Sequence, residues 1–260
     1  MIKRQINGIE VFSFENFEFS SIPHGFFTRN GGVSPSPWNS LNLSTTGGDS
    51  RENIIENRKR IFKAIDRPVD SLFDAWQVHG TKVIRVIEPR GLDNLPQKAD
   101  GLATDNPNVT LFMRFADCVP ILLFDPSKGV VGIFHAGWKG TLAKIVRRGV
   151  KIFCETYQST PKDIVAGIGP SICTDHYVVK DDVASIVKKT FMAKADEVLT
   201  FSSNKIHFNL SKANEIILRA AGVEKIENSN LCTACDTTKW FSHRAENGAT
   251  GRFGAYIAVR

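Results

Sequence analysis

No proline-, glycine- or serine-rich stretch divides this chain of 260 residues, and no internal repeat is present. One domain spanning 1–260 is therefore expected. Long apolar runs are also missing. The most apolar stretch, Val109 to Phe124, carries Arg114 and Asp117, which makes a bilayer span costly. The opening MIKRQINGIEVFSF holds charges but no sustained apolar core of a secretory leader. The five cysteines are an odd number for a long chain and do not form a disulfide framework, so a reduced, cytoplasmic protein is expected. Charge excess is absent as well: 42% hydrophobic against 23% charged residues excludes a disordered chain. The net charge of +6 comes from scattered lysines and arginines, densest at Asn57-Arg58-Lys59-Arg60. A solvated basic surface or an anionic small substrate fits this better than nucleic acid.

What is present reads as mixed secondary structure. Arg29-Asn30-Gly31-Gly32 is a turn by its glycines, and 34–49 is a polar, proline-containing loop. A helix follows, capped by Asp49 or Ser50, with Glu52 placed as in a capping box. Ile54, Ile61, Phe62 and Ile65 form its apolar stripe. Asn57 and Arg58 share that face and need partners: Arg58 either ties a loop down or points at an anionic ligand. Strands are expected over 82–88, within 109–124, over 130–135, 164–168 and 251–260. Helices are expected from Gly140 or Thr141 to Tyr157, and near 180–193 and 210–221. Strands and helices are mixed without strict alternation, which predicts an α+β fold.

The stretch Phe134-His135-Ala136-Gly137-Trp138-Lys139-Gly140 ends an apolar strand with a histidine before a glycine turn. If 125–129 is a hairpin turn, paired positions sum to about 254, which sets His135 opposite Val119 and Cys118 opposite Ala136. Pro120 suggests an edge strand or a bulge. A thiol beside an imidazole can be plain packing, a nucleophile with its base, or two metal ligands. His79, in Gln77-Val78-His79-Gly80, offers a third donor. The strand, glycine turn and helix start after His135, with Lys139, also resemble an anion site, although Gly137 and Gly140 are explained by turn chemistry alone.

The segments TRNGGVS, NLSTTGGD, ENR, QVHG, ADCVPILLFD, GIFHAGWKGT, GIGPSIC, SHR and TGRFG, in this order from about Pro23 onward, resemble the YfiH-like family, also called the multicopper polyphenol oxidase or laccase-domain family. The resemblance implies an α+β sandwich of mixed sheets flanked by helices, similar to toxin-type cysteine hydrolases that use a Cys–His pair. It implies zinc held by His79, Cys118 and His135. It also implies phosphorolysis of adenosine, inosine, guanosine or methylthioadenosine, with adenosine deamination as a side activity. One departure is Ser44-Thr45-Thr46, where the family pattern has Gly-x-His-Val or close to it.

On this reading the partners are a purine nucleoside and phosphate, with no nucleic acid and no membrane. Arg29, Arg58 and Lys139 are candidates for phosphate or ribose, and Asn42 for the nucleoside. Asp117 serves either behind the metal ligands or as an acid–base group. Two alternatives stay open: a cysteine hydrolase with Cys118 as nucleophile and His135 as base, and a copper-dependent polyphenol oxidase. Six histidines are too few for a mononuclear plus a trinuclear copper site, and Met113 is the one methionine near these motifs. Copper, Cu2+, would then be an adventitious occupant of a zinc site. Cys232-x-x-Cys235, with no second such pair, is read as two ordinary thiols, and His176 and His207 as structural or solvated.

Overall fold

Two six-stranded sheets lie face to face in the computed structural model, which describes residues 1–15, 22–91 and 93–260. In chain order come β1 (Ile2–Ile6), β2 (Ile9–Ser13), β3 (His24–Phe27), α1 (Arg51–Ala64), β4 (Leu72–Asp74), β5 (Val83–Arg85), β6 (Gly101–Thr104), β7 (Thr110–Phe115), β8 (Val119–Asp125) and β9 (Val130–Ala136). Then follow α2 (Trp138–Leu142), α3 (Ile145–Tyr157), β10 (Val165–Ile168), β11 (Val178–Val179), α4 (Asp181–Phe191), β12 (Leu199–Ser202), β13 (Lys205–Phe208), α5 (Leu210–Ala220), β14 (Lys225–Asn228) and β15 (Phe253–Ala258). The first sheet runs β1-β2-β3-β15-β7-β4 and the second β14-β10-β8-β9-β6-β5, with a small third sheet β11-β13-β12. Both large sheets mix parallel and antiparallel neighbours, so the fold is an α+β sandwich, as expected.

The continuous apolar runs of β8 and β9 follow from burial on both faces. Val119, Ile121, Leu123, Val130, Phe134 and Ala136 face the helices, while Leu122, Phe124, Val131 and Ile133 face the first sheet. His135 shares the parity of Val131 and Ile133. Its imidazole therefore enters the inter-sheet layer near the end of β9, with Phe115 of the opposite sheet 5.6 Å away. Helix α1 covers the outer face of the first sheet through Ile61 and Phe62.

Four local expectations are corrected. The β8–β9 ladder pairs Val119 with Ala136 and Pro120 with His135, a sum of 255, so Cys118 lies just beyond the ladder's end. Pro120 is not on an edge: β8 is a central strand. The Gly169 N–H bonds the Pro120 carbonyl at 2.8 Å, one step past the last β8–β10 pair, Ile121–Ile168, and the ladder ends where the proline has no N–H to return. The helix expected over 140–157 is two helices, broken where Lys144 takes φ +59°. Finally, Ser50 caps α1 by accepting the Asn53 N–H at 3.2 Å, and Glu52 closes no capping box.

Candidate metal centre and cleft

His79, Cys118 and His135 converge from three loop and strand ends, and their donor atoms lie within 4.8 Å of one another. His135 is placed by its strand. His79 is placed by a loop bonded at nearly every residue. Trp76 exchanges backbone bonds with the 97–99 segment: its N–H donates to Gln97 O at 2.9 Å and its carbonyl accepts the Ala99 N–H at 3.1 Å. The Gln77 amide both donates to and accepts from the Arg114 backbone, at 2.7 and 3.0 Å. The N–H groups of Val78, His79 and Gly80 all donate to the Asp100 carboxylate, at 3.2, 2.9 and 2.7 Å. These bonds hold His79 at φ +59°, a backbone state that L residues rarely adopt.

Asp100, fully buried at the entry to β6, also accepts the His135 Nδ1–H at 2.8 Å. That bond fixes the tautomer and leaves Nε2 free to ligate. Sequence reading passes over Asp100. The only trace of it there is an acid standing before the glycine that begins an apolar strand.

The charges of the trio are coupled. Burial alone would raise the Cys118 thiol, but the His135 imidazole and then His79 outweigh it and bring the thiol down to about 6. Burial alone would lower His135, yet the Cys118 thiolate and Asp100 push it up to about 9. The thiolate is the metal-ligating form of cysteine. Burial would also raise Asp100, and its bonds to His135 and the Gly80 N–H hold it below the usual carboxylate range instead.

The donors fit zinc. Bond lengths of about 2.3 Å to sulfur and 2.0–2.1 Å to nitrogen put a tetrahedral sulfur–nitrogen edge at about 3.5–3.6 Å. Cys118 Sγ lies 3.9 Å from His79 Nε2. Gly137 makes room for this. Its φ of −71° would suit any residue, but a Cβ there would stand 2.9 Å from both Cys118 Sγ and His79 Cδ2. The glycine is thus required by the close approach of Cys118 and His79 and not by the turn. Three protein donors leave one tetrahedral position open, as in catalytic zinc sites.

The trio opens into a cleft of about 1190 Å³ that is rich in arginine. Its wall carries Arg58, Arg90 and Arg114 around one carboxylate, Asp74, with bonds of 2.7 Å from Arg90 and 2.9 Å from Arg114. Arg58 donates no hydrogen bond among the described residues, and burial pulls its guanidinium below the usual range. Trp76, 57% exposed, and Tyr177 add aromatic surface to the lining of the cleft.

The chain belongs to the laccase-domain family. The family model for multi-copper polyphenol oxidoreductase laccase matches residues 23–260. The purine nucleoside phosphorylase YlmD of Bacillus subtilis is 35% identical over 244 residues, covering 91% of this chain and 88% of that protein. Adenosine deaminase RL5, from an unknown prokaryotic organism, is 32% identical over 251 residues, covering 92% and 95%. The crystal structure of YlmD from Geobacillus stearothermophilus superposes with a TM-score of 0.93 at 33% identity, covering 99% of this chain and 98% of that one.

Of the other residues expected at the family's site, Arg58 lines the cleft and Asp117 stands beside Cys118. The Asp117 carboxylate accepts from Thr233 Oγ1 and Ser242 Oγ, both at 2.7 Å, and from the Arg244 N–H at 2.6 Å. Those bonds hold Asp117 at φ +82° and make it an anchor for Cys118, the residue next to it. Arg29 is not in the cleft: it is buried, and it bonds Asn39 O, Thr237 O and Glu246. Asn42 is buried too, spent on Ser44, Asp49 and the Arg252 N–H. Lys139 is exposed beside Trp138 and does not line the cleft. Met113 is enclosed in the sandwich core. Sequence reading misses Arg90, Arg114, Arg252 and Tyr177 as cleft residues, because they lie in four segments that only the fold joins.

Proposed function

We propose that the whole chain acts as one zinc-dependent catalytic unit that cleaves purine nucleosides with phosphate, releasing the base and ribose 1-phosphate, and that it deaminates adenosine as a side reaction. The observation that carries this reading is a His–Cys–His donor set in the lining of an arginine-rich cleft. His79, Cys118 and His135 would hold zinc, which when bound supplies a Lewis acid. The similarity to proteins named purine nucleoside phosphorylase and adenosine deaminase supports the substrate class.

The chain's own residues then have these roles. Arg58, with Arg90 and Arg114 held by Asp74, presents surplus positive charge to phosphate. Trp76 and Tyr177 give the purine apolar faces. Asp100 orients His135, and Asp117 orients Cys118. Free thiols throughout suit the cytoplasm, where we place the protein. No helix among the described residues is long and apolar enough to cross a membrane.

A second reading has its own observation: Cys118, His135 and Asp100 stand in the order of a nucleophile, base and orienting acid. His79, packed on the same sulfur, has no task in such a relay and a clear one in a metal set.

Incubation of adenosine or inosine with the protein, with and without phosphate, tests the proposal. Base plus ribose 1-phosphate is expected only with phosphate, and is expected to vanish when a chelator removes the metal. Phosphate-independent inosine as the sole product from adenosine would replace phosphorolysis with deamination. Full activity in metal-free protein, abolished by alkylation of Cys118, would favour the hydrolase.

A further inference from the structure

Cys232 and Cys235, read from sequence as two ordinary thiols, and His176, read as structural or solvated, come together with Cys173 beside Asp117. The ligand atoms of Cys173, His176, Cys232 and Cys235 all lie within 4.8 Å of one another. The topology explains why. Strands β10 and β14 are parallel neighbours, Ile168 beside Asn228. Their chains run off the sheet side by side, joined by Ser229 N–H to Ile168 O at 2.8 Å, Ser171 N–H to Leu231 O at 3.1 Å and Thr233 N–H to Ser171 O at 3.2 Å. Each chain then delivers two donors with two residues between them, Cys173-x-x-His176 from one and Cys232-x-x-Cys235 from the other. Paired short-spaced donors on adjacent loops are the layout of structural zinc sites.

We infer that this Cys3His cluster is a second, closed metal site, which takes zinc as a structural ion. The distances match a tetrahedron. Zinc bond lengths set sulfur–sulfur edges of about 3.8 Å and sulfur–nitrogen edges of about 3.5–3.6 Å. His176 Nδ1 lies 3.3, 3.9 and 3.5 Å from the sulfurs of Cys173, Cys232 and Cys235, and the sulfurs of Cys173 and Cys235 are 3.9 Å apart. A disulfide needs about 2.05 Å, and one disulfide would leave the third sulfur and the imidazole without a purpose. The Cys173 N–H points at Cys232 Sγ, 3.2 Å away, as a support for a thiolate ligand. Three thiolates and one imidazole favour zinc over magnesium or calcium, and four protein donors leave no position for substrate.

The site's task is positional. Asp117 is gripped by both clamped loops: the Ile172 N–H bonds its carbonyl at 3.0 Å, and Thr233, between the two loop cysteines, bonds its carboxylate at 2.7 Å. Cys118 is the next residue. Tyr177, directly after His176, lines the cleft. A metal joining the two loops would fix the backbone that aims Cys118.

The test is metal analysis of the untagged, full-length protein together with thiol titration. About two zinc ions per chain are expected. The His79→Ala/Cys118→Ser variant is expected to keep about one, with Cys173, Cys232 and Cys235 protected from a thiol reagent until chelator is added. After exchange into cobalt, the same variant is expected to show charge-transfer absorption of a three-sulfur tetrahedral site. The Cys232→Ser/Cys235→Ser variant is expected to lose one ion and to melt at lower temperature. If it does not fold, the cobalt spectrum of the first variant decides alone. A His79→Ala/Cys118→Ser chain without metal and with all thiols freely reactive would overturn the inference. So would a Cys173–Cys235 disulfide, seen as loss of two hydrogens in the native mass.

Discussion

Four hydrogen bonds end on the Asp100 carboxylate, three from one loop and one from His135. A single side chain thus sets the backbone of His79 and the ring of His135. Asp100→Asn would turn an acceptor-only group into one that also donates, against at least one of those N–H groups. Loss of such a supporting residue typically weakens metal binding about 10–100-fold. A shift of that size is the expected outcome of zinc competition against a chromophoric chelator. Gly137→Ala acts sterically at the same place: its methyl group would meet Cys118 Sγ and His79 at 2.9 Å. The expected result is substoichiometric metal in a chain that still folds, measured by metal analysis beside circular dichroism.

At the level of elements, Asn57 shows how α1 shapes the cleft. Its amide donates to Ser34 Oγ, Ser40 O and Asn42 O and accepts the Val33 N–H, which pins the 33–42 loop against the helix that carries Arg58. Asn57→Ala would leave several of these buried groups unpaired, a cost on the order of 2–3 kcal/mol. A lower urea midpoint at unchanged slope checks it. The loop-tying role open to Arg58 in the sequence thus falls to its neighbour, and Arg58 is left facing the cleft. The central strands and the long helices were legible, because β8 and β9 are continuous apolar runs and the helices carry clear periods; the short strands β4, β6 and β11 to β14 were not, having too few residues to show either signal. The turn chemistry was less legible. Asp125 belongs to the strand, and its carboxylate accepts from Ser127 and Lys128 around a four-residue loop, which moved the register to 255. Asn7-Gly8 is a two-residue hairpin turn that pairs β1 with β2, a signal carried by only two residues. The donor trio was legible from motif resemblance and nearness to a hairpin end. Asp100, the arginine wall and the Cys3His cluster were not, since each is assembled from segments distant in sequence.

For the molecule as a whole, the Asp74 cluster couples acid stability to the cleft. Burial would raise the Asp74 carboxyl, but Arg114, Arg90 and Arg58 hold it below its usual value. A depressed carboxyl contributes its stability above the unfolded value near 4, and loses it as the pH falls through the lower folded value. Asp74→Asn, which leaves three buried or half-buried arginines unbalanced, is expected to cost about 3 kcal/mol at neutral pH. The gap from wild type is expected to narrow as the pH falls below about 4, where the unfolded chain's aspartate takes up a proton, and to close once the native carboxyl follows at its lower value. Denaturant titrations across pH 2.5–7 read this directly; a gap constant with pH would show that Asp74 carries no linked proton. Finally, β15 sits in the middle of the first sheet, between β3 and β7. During synthesis that slot stays empty until residues 253–258 leave the ribosome, so Phe115 and the imidazole it faces have no settled surroundings before then. The layer that encloses His135 is thereby completed only when β15 has docked.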